Sequence, residues 1–233
     1  IEQLIAKGFR VLYIDIDAHH GDGVQQGFYD TDRVMKISFH ETGKVLFPFS
    51  GFENETGAGK GEGYTINVPL HPSTDDDVFL FLFKKLFPPL AARFDADVTV
   101  AQIGVDMMHA DPLTHLRLTN NSYIEAVKII TQWSKKLIAF GGGGYHPDNI
   151  AKGYTLAWAV MNRVETDADA MSLVLGGTFL GSPELNTVGS LRDMNLYVSG
   201  PDKEAAAQEA YRVHEYLRRN VFHPRSFVAL VIF

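Results

Sequence analysis

Val11-Leu12-Tyr13-Ile14-Asp15-Ile16-Asp17-Ala18-His19-His20-Gly21-Asp22-Gly23 decides how the rest of the chain is read. Residues 11–15 are mostly apolar and β-prone, the composition of a strand buried on both faces. Polar residues then crowd its end. Side chains on extended backbone alternate faces with a period of two, so Asp15, Asp17 and His19 are expected on one side as the strand runs out. A carboxylate and an imidazole two residues apart can close on one metal ion, while Gly21 and Gly23 let the chain bend away behind them. A lone Asp-x-His is common, however, and a strand-end aspartate more often caps a following helix, here residues 21–28. Two further strand ends decide between these readings.

The 233 residues are 45% hydrophobic, carry a net charge of −7 and include no cysteine. That length and apolar content are enough for one substantial core, and the expectation is a single domain over 1–233, with 166–233 a less regular C-terminal portion. An acidic chain lacks the basic surface that nucleic acid demands. Without cysteine there is no disulfide, thiolate ligand or thiol nucleophile, so any metal must sit on nitrogen and oxygen. No apolar run approaches the length of a membrane span, and the expectation is a soluble, cytoplasmic protein with no membrane partner. The chain opens at Ile1 inside an amphipathic helix that Gly8 stops, which reads as a domain lacking its N-terminal part.

Further along, residues 34–39 form a second strand that closes on His40, and residues 41–63, rich in glycine, read as a long surface loop around Phe47-Pro48-Phe49. Residues 64–70 are a third strand. Ser73-Thr74-Asp75-Asp76-Asp77 starts a helix with acids in its first turn; Phe79, Phe83 and Phe87 give it an apolar stripe, and Pro88-Pro89 are expected to break or kink it. Residues 97–103 are a fourth strand ending in Gly104-Val105-Asp106, and Asp111-Pro112 marks a turn. A helix capped by Thr119 or Asn121 then leads to a fifth strand, residues 137–140. Gly141-Gly142-Gly143-Gly144-Tyr145 follows it at once, ahead of a helix over 148–163. Residues 166–190 are loop-like, 202–220 a surface helix packing on the sheet, and 227–233 an uncharged, β-prone tail. Strands alternating with helices predict an α/β fold, a mostly parallel sheet with helices on both faces.

In such a sheet ligands bind beyond the carboxyl ends of the strands. Asp17 and His19 follow the first strand, Asp106 the fourth and Tyr145 the fifth. Two carboxylates and one imidazole make a three-ligand site with room for water and substrate, the open pattern of a catalytic zinc. Four glycines let backbone approach a ligand closely and present Tyr145 at a fixed place.

Together, the Asp15-to-Gly23 motif, Ser38-Phe39-His40, Gly104-Val105-Asp106 and Gly141-to-Tyr145 resemble the zinc-dependent histone deacetylase family, nearest the bacterial acetoin-utilisation proteins, over about residues 1–165. The resemblance implies an arginase-like α/β fold and hydrolysis of an acetylated amine, typically N-acetyl-lysine of a protein. It implies Asp17, His19 and Asp106 as ligands of zinc, with iron(II) as the alternative ion, and Tyr145 as the donor to the substrate carbonyl. Asp15 and Asp22 match the acids that orient a pair of catalytic histidines. Phe47 and Leu113 occupy positions similar to the walls of the lysine channel, and Gly143 resembles a backbone acceptor near the acetyl group. Potassium is implied near Asp15, Asp17, His19, Ser38 and Phe39, and again near Phe28, Thr31, Val34 and Tyr64. The family's tandem histidines have no counterpart here, since His19 serves the metal and His20 is expected on the opposite face. The expectation is therefore a deacetylase whose 233-residue form is impaired for want of its general base.

Three alternatives compete. A binuclear manganese ureohydrolase would want more carboxylates than Asp106-Met107-Met108 supplies. A non-catalytic acyl-lysine binding module fits the missing base but not the open ligand count. A hydrolase of acetylpolyamines or other small amides is the nearest enzymatic rival. Of the nine histidines only His19 is given a chemical role.

Overall fold

A computed structural model describes residues 1–164 and 191–221 of the chain. The expected loop at 166–190 and tail at 227–233 lie outside the described residues.

Strand β1 (Val11–Asp15) is buried along its whole length, and so are β2 (Val34–Glu41) and β3 (Thr65–Leu70). With β4 (Val98–Gln102) and β5 (Leu137–Phe140) they form one parallel sheet in the order β3-β2-β1-β4-β5. The chain thus winds outward from β1 to β3, returns past β1 to β4, and winds outward again. The order reverses between β1 and β4. That gap is where a doubly wound sheet opens a crevice at its carboxyl edge, because the loops leaving the two central strands turn in opposite directions.

Alternation along β1 assigns the two faces. Leu12, Ile14 and Ile16 join the larger core, together with α3 (Asp76–Phe94), α4 (Asn120–Gln132), α5 (Pro147–Met161) and α6 (Pro201–Asn220). Val11 and Tyr13 join a smaller cluster against α1 (Glu2–Ala6) and α2 (Asp22–Gly27). Helices therefore cover both faces, as the βα alternation predicts. The outer face of β5 is barer, with Ile138 and Phe140 exposed.

Helix α3 begins where the acidic run places it, with the Asp75 side chain accepting from the Val78 N–H at 3.2 Å. Its prolines do not end it: Pro88 and Pro89 lie inside a helix that continues to Phe94. Each costs about 3 kcal/mol in a helix interior. The buried stripe from Val78 to Phe94 runs uninterrupted across them, so tertiary packing outweighs local propensity. Phe83 is the centre of that packing, with ring centroids 5.0 Å from Phe39 on the sheet and 5.2 Å from Phe87 on its own helix.

Replacing a fully buried phenylalanine removes its transfer energy and leaves a cavity. Phe83→Ala is expected to lower unfolding stability by roughly 3–5 kcal/mol in urea titrations, whereas Trp158→Ala, at a side chain 61% exposed, is expected to change it by less than about 1 kcal/mol. Equal effects would contradict this account of the core.

Candidate metal centre

Three polar side chains meet beyond the carboxyl ends of β1 and β4. Ligand atoms of Asp17, His19 and Asp106 all lie within 4.8 Å of one another. His19 Nδ1 stands between the carboxylates, 3.0 Å from Asp17 Oδ1 and 2.9 Å from Asp106 Oδ2. Asp106 is fully buried and Asp17 nearly so.

Their convergence comes about differently from simple strand alternation. Strand β1 stops at Asp15, and the next residues turn. Asp15 Oδ1 accepts from the Asp17 N–H and Asp17 Oδ1 from the His19 N–H, both at 2.9 Å. Aspartate readily bonds backbone two residues on, so this sequence makes its own turn. Asp106 is brought in from β4 and tied down when its Oδ1 accepts from the Ala18 N–H at 2.8 Å.

The loop after β5 closes the site. Gly143 N–H donates to Asp17 Oδ2 at 2.5 Å, while Gly143 O accepts from Val105 N–H at 2.8 Å. A Cβ on Gly143 would run into Asp106 Oδ2, so only glycine allows this approach. The Gly143 carbonyl expected to face substrate is thus already engaged, and its N–H holds a carboxylate of the triad. Tyr145 follows, half-exposed, with its ring edge-on to His19 at 6.3 Å between centroids. Burial, and then the Asp106, Asp17 and Asp111 carboxylates, push its phenol pKa up, so it stays a proton donor.

Electrostatics place a proton where a cation would sit. Hydrogen bonds to Asp106 and Asp17 raise His19 to about 10 against the opposing effect of burial. Burial lifts Asp106, to about 6. Asp17 is buried too, but its bonds from the His19 side chain, the His19 N–H and the Gly143 N–H outweigh burial and hold it low. These three side chains could hold a metal ion in exchange for that proton, and an N/O donor set of this kind is compatible with zinc.

The other expected residues are more dispersed. Asp15, also buried, accepts from Tyr13 Oη at 2.5 Å, and burial raises its pKa. Asp22 lies on the first turn of α2, where its Oδ1 accepts from Gly23 N–H at 2.7 Å. Phe47 and Leu113 are exposed, and Phe47 packs edge-on against Phe49. Ser38 lies beside Asp15 in register, bonded to His40, and Phe39 is core. Thr31 Oγ1 accepts from Arg33 N–H, Val34 opens β2, and Phe28 O and Tyr64 O both receive donors from Lys36. His20 is turned away from the triad, with Nδ1 on Ser50 Oγ and Nε2 on Gln25 Oε1.

Sequence reading missed Asp111 and Tyr154. The buried Asp111 carboxylate accepts from Tyr145 N–H at 2.8 Å and from Leu113 N–H at 3.0 Å, tying two expected substrate contacts to one anchor. Tyr154 Oη accepts from Gly142 N–H at 3.0 Å, steadying the glycine run from beneath. Asp111-Pro112 gave only a turn signal, and no motif in the sequence marks Tyr154.

Residues 1–161 match the sequence profile of the histone deacetylase domain. The acetoin utilization protein AcuC of Staphylococcus xylosus is 49% identical over 155 residues, 64% of this chain and 40% of that protein. AcuC of Bacillus subtilis strain 168 is 47% identical over 164 residues, 67% of this chain and 42% of that protein. The chain thus spans about two-fifths of the length of these curated relatives. Among solved structures, an HDAC homolog complexed with SAHA superposes with a TM-score of 0.75 at 32% identity, covering 91% of this chain and 59% of that one. An HDAC homolog from Aquifex aeolicus gives 0.73 at 33%, covering 90% and 59%.

Metal uptake at the triad must displace the His19 proton. Calorimetric titration with zinc near pH 7 in buffers of different ionisation enthalpy is expected to show about one proton released per ion bound. Because the folded pKa is raised, the imidazolium's contribution to metal-free stability is complete below about 6.5 and is lost as pH rises through about 10. Zinc affinity is expected to climb over that same window, and pH-independent binding would refute the exchange.

Proposed function

The chain belongs to the histone deacetylase family, and from that premise we propose that its site is the zinc-binding half of an amidohydrolase that removes acetyl groups from N-acetyl-lysine in proteins. The observation that carries this reading is the Asp17–His19–Asp106 cluster at the sheet's crevice, with the Tyr145 phenol beside it. Three protein ligands leave coordination positions for water and substrate, whereas a structural ion normally closes four.

Bound there, zinc would polarise the acyl carbonyl and lower the pKa of water toward neutrality. The protein's share is positional. Asp17 and Asp106 are fixed by backbone N–H donors, so they need not reorganise when charge develops. Tyr145, kept protonated, supplies an O–H to the developing oxyanion, and Asp111 holds its backbone. Phe47 and Leu113 stand exposed to flank the stem of an acylated lysine. Two carboxylate ligands neutralise the ion, which makes the phenol's help more necessary than beside three imidazoles.

The general base is a separate matter. No histidine precedes His19 in the 233 residues, and both ring nitrogens of His20 are already engaged. General acid–base catalysis typically contributes ~10²–10⁴ in rate. The 233-residue chain is therefore proposed to bind its ligands but to turn over slowly.

Two measurements on the zinc-loaded chain test this. An alkyl hydroxamate, which needs an open coordination position, is expected to bind, and Tyr145→Phe to weaken it by about tenfold, the order of one hydrogen bond to a charged group. Acetyl-lysine peptide is expected to turn over at least ~100-fold more slowly than with a form extended at its N-terminus by the tandem histidines. Absence of hydroxamate binding would sink the open-site reading; brisk turnover by the 233-residue chain would overturn the base assignment. Faster hydrolysis of an acetylated polyamine than of peptide would move the substrate class to small amines.

A further inference from the structure

Strand β2 carries a cation, Lys36, in the middle of its apolar first half. Val34-Met35-Lys36-Ile37-Ser38-Phe39 is buried at every position, and Lys36 is only 3% exposed. Alternation sets Lys36 on the sheet face that holds Val34 and packs against α1 and α2. A buried ammonium must find oxygen. Here it donates to the carbonyl of Phe28, the residue that caps the C-terminus of α2. Carbonyls at that end of a helix lack intrahelical partners and carry partial negative charge, so a cation is favoured there.

The surroundings are rich in oxygen. Lys36 N–H donates to Tyr64 O at 2.8 Å. Thr65, paired with Lys36 across the β2–β3 ladder, has a buried hydroxyl with no hydrogen-bond partner among the described residues. Asp30 acts on the ammonium electrostatically in favour of its charge, and although burial lowers the pKa to about 8, the group is still protonated at pH 7. Phe28 and Tyr64 are two of the four residues at which the sequence resemblance implies a second potassium ion, and Lys36 already donates to both carbonyls, its ammonium to Phe28 O and its backbone N–H to Tyr64 O. Two positive charges sharing Phe28 O in a buried place would repel strongly. The residues present do not fit the ion.

We propose that Lys36 is a built-in cation: its tethered ammonium occupies the oxygen-lined space between the end of α2 and strands β2 and β3, where it takes the place of a bound monovalent metal ion. This part of the fold then holds its cation covalently and needs none from solution. The inference is independent of the catalytic reading, because it concerns the stability of the sheet's α2 side and no reacting group.

Thermal unfolding of the 233-residue chain at pH 7 tests it, in potassium chloride and in choline chloride at equal ionic strength. Lys36→Met fills the space without charge. It is expected to lower the midpoint by roughly 3–10 °C in both salts, the effect of leaving buried oxygens without a donor. Lys36→Ala opens the space, and potassium is expected to restore its midpoint by several degrees more than it adds to wild type, whose own response reports any other potassium site. An alanine variant that folds only in potassium would support the proposal in the same way. If it folds in neither salt, Lys36→Met decides. A methionine variant as stable as wild type, or an alanine variant that gains no more from potassium than wild type does, overturns the proposal.

Discussion

The site depends on one shared hydrogen: the His19 Nδ1–H held between a carboxylate that follows β1 and a carboxylate that follows β4. Those strands are neighbours in space although separated by more than eighty residues of chain, because the sheet reverses its winding direction between them. Two like charges do not settle side by side in a buried crevice unless something positive joins them. A proton on the imidazole does so here, since the two carboxylates raise the His19 pKa.

Around that centre, the loops are fixed by backbone donors. Gly143 N–H bonds the Asp17 carboxylate and Ala18 N–H the Asp106 carboxylate, so backbone donors orient both. Asp111 ties the backbones of Tyr145 and Leu113 to one carboxylate. On the far side, the buried Glu41 at the end of β2 accepts from both the backbone and the ring of His115, tying the loop after β4 to the second strand. These links run along the carboxyl edge of the sheet, where the strands deliver their loops.

Much of this was legible in the residues. Asp17, His19 and Asp106 stood out because chemistry-bearing side chains at the ends of apolar strands have few reasons to be there, and the parallel sheet followed from the βα alternation. Less visible was how the turn after Asp15 is made, since hydrogen bonds from backbone to Asp15 and Asp17 replace simple extended geometry. Pro88 and Pro89 do not break α3, because local propensity says nothing of the aromatic stripe that carries the helix across them. Asp111 was hidden by its own chemistry, for an Asp-Pro pair signals a turn whether or not the carboxylate serves as an anchor. Lys36 offered one clue, a charge inside a strand buried on both faces, but only the placement of Phe28 at the end of α2 reveals what it meets.

The most direct test of the metal centre is X-ray absorption at the zinc edge of the chain loaded with one equivalent of zinc. Expected is a shell of oxygen and nitrogen at about 2.0–2.2 Å whose multiple-scattering features fit a single imidazole. That is the signature of Asp17, Asp106 and His19 with solvent completing the sphere. Two or more imidazoles in the fit would mean that the ion is held elsewhere, and the convergence at the carboxyl edge would lose its meaning.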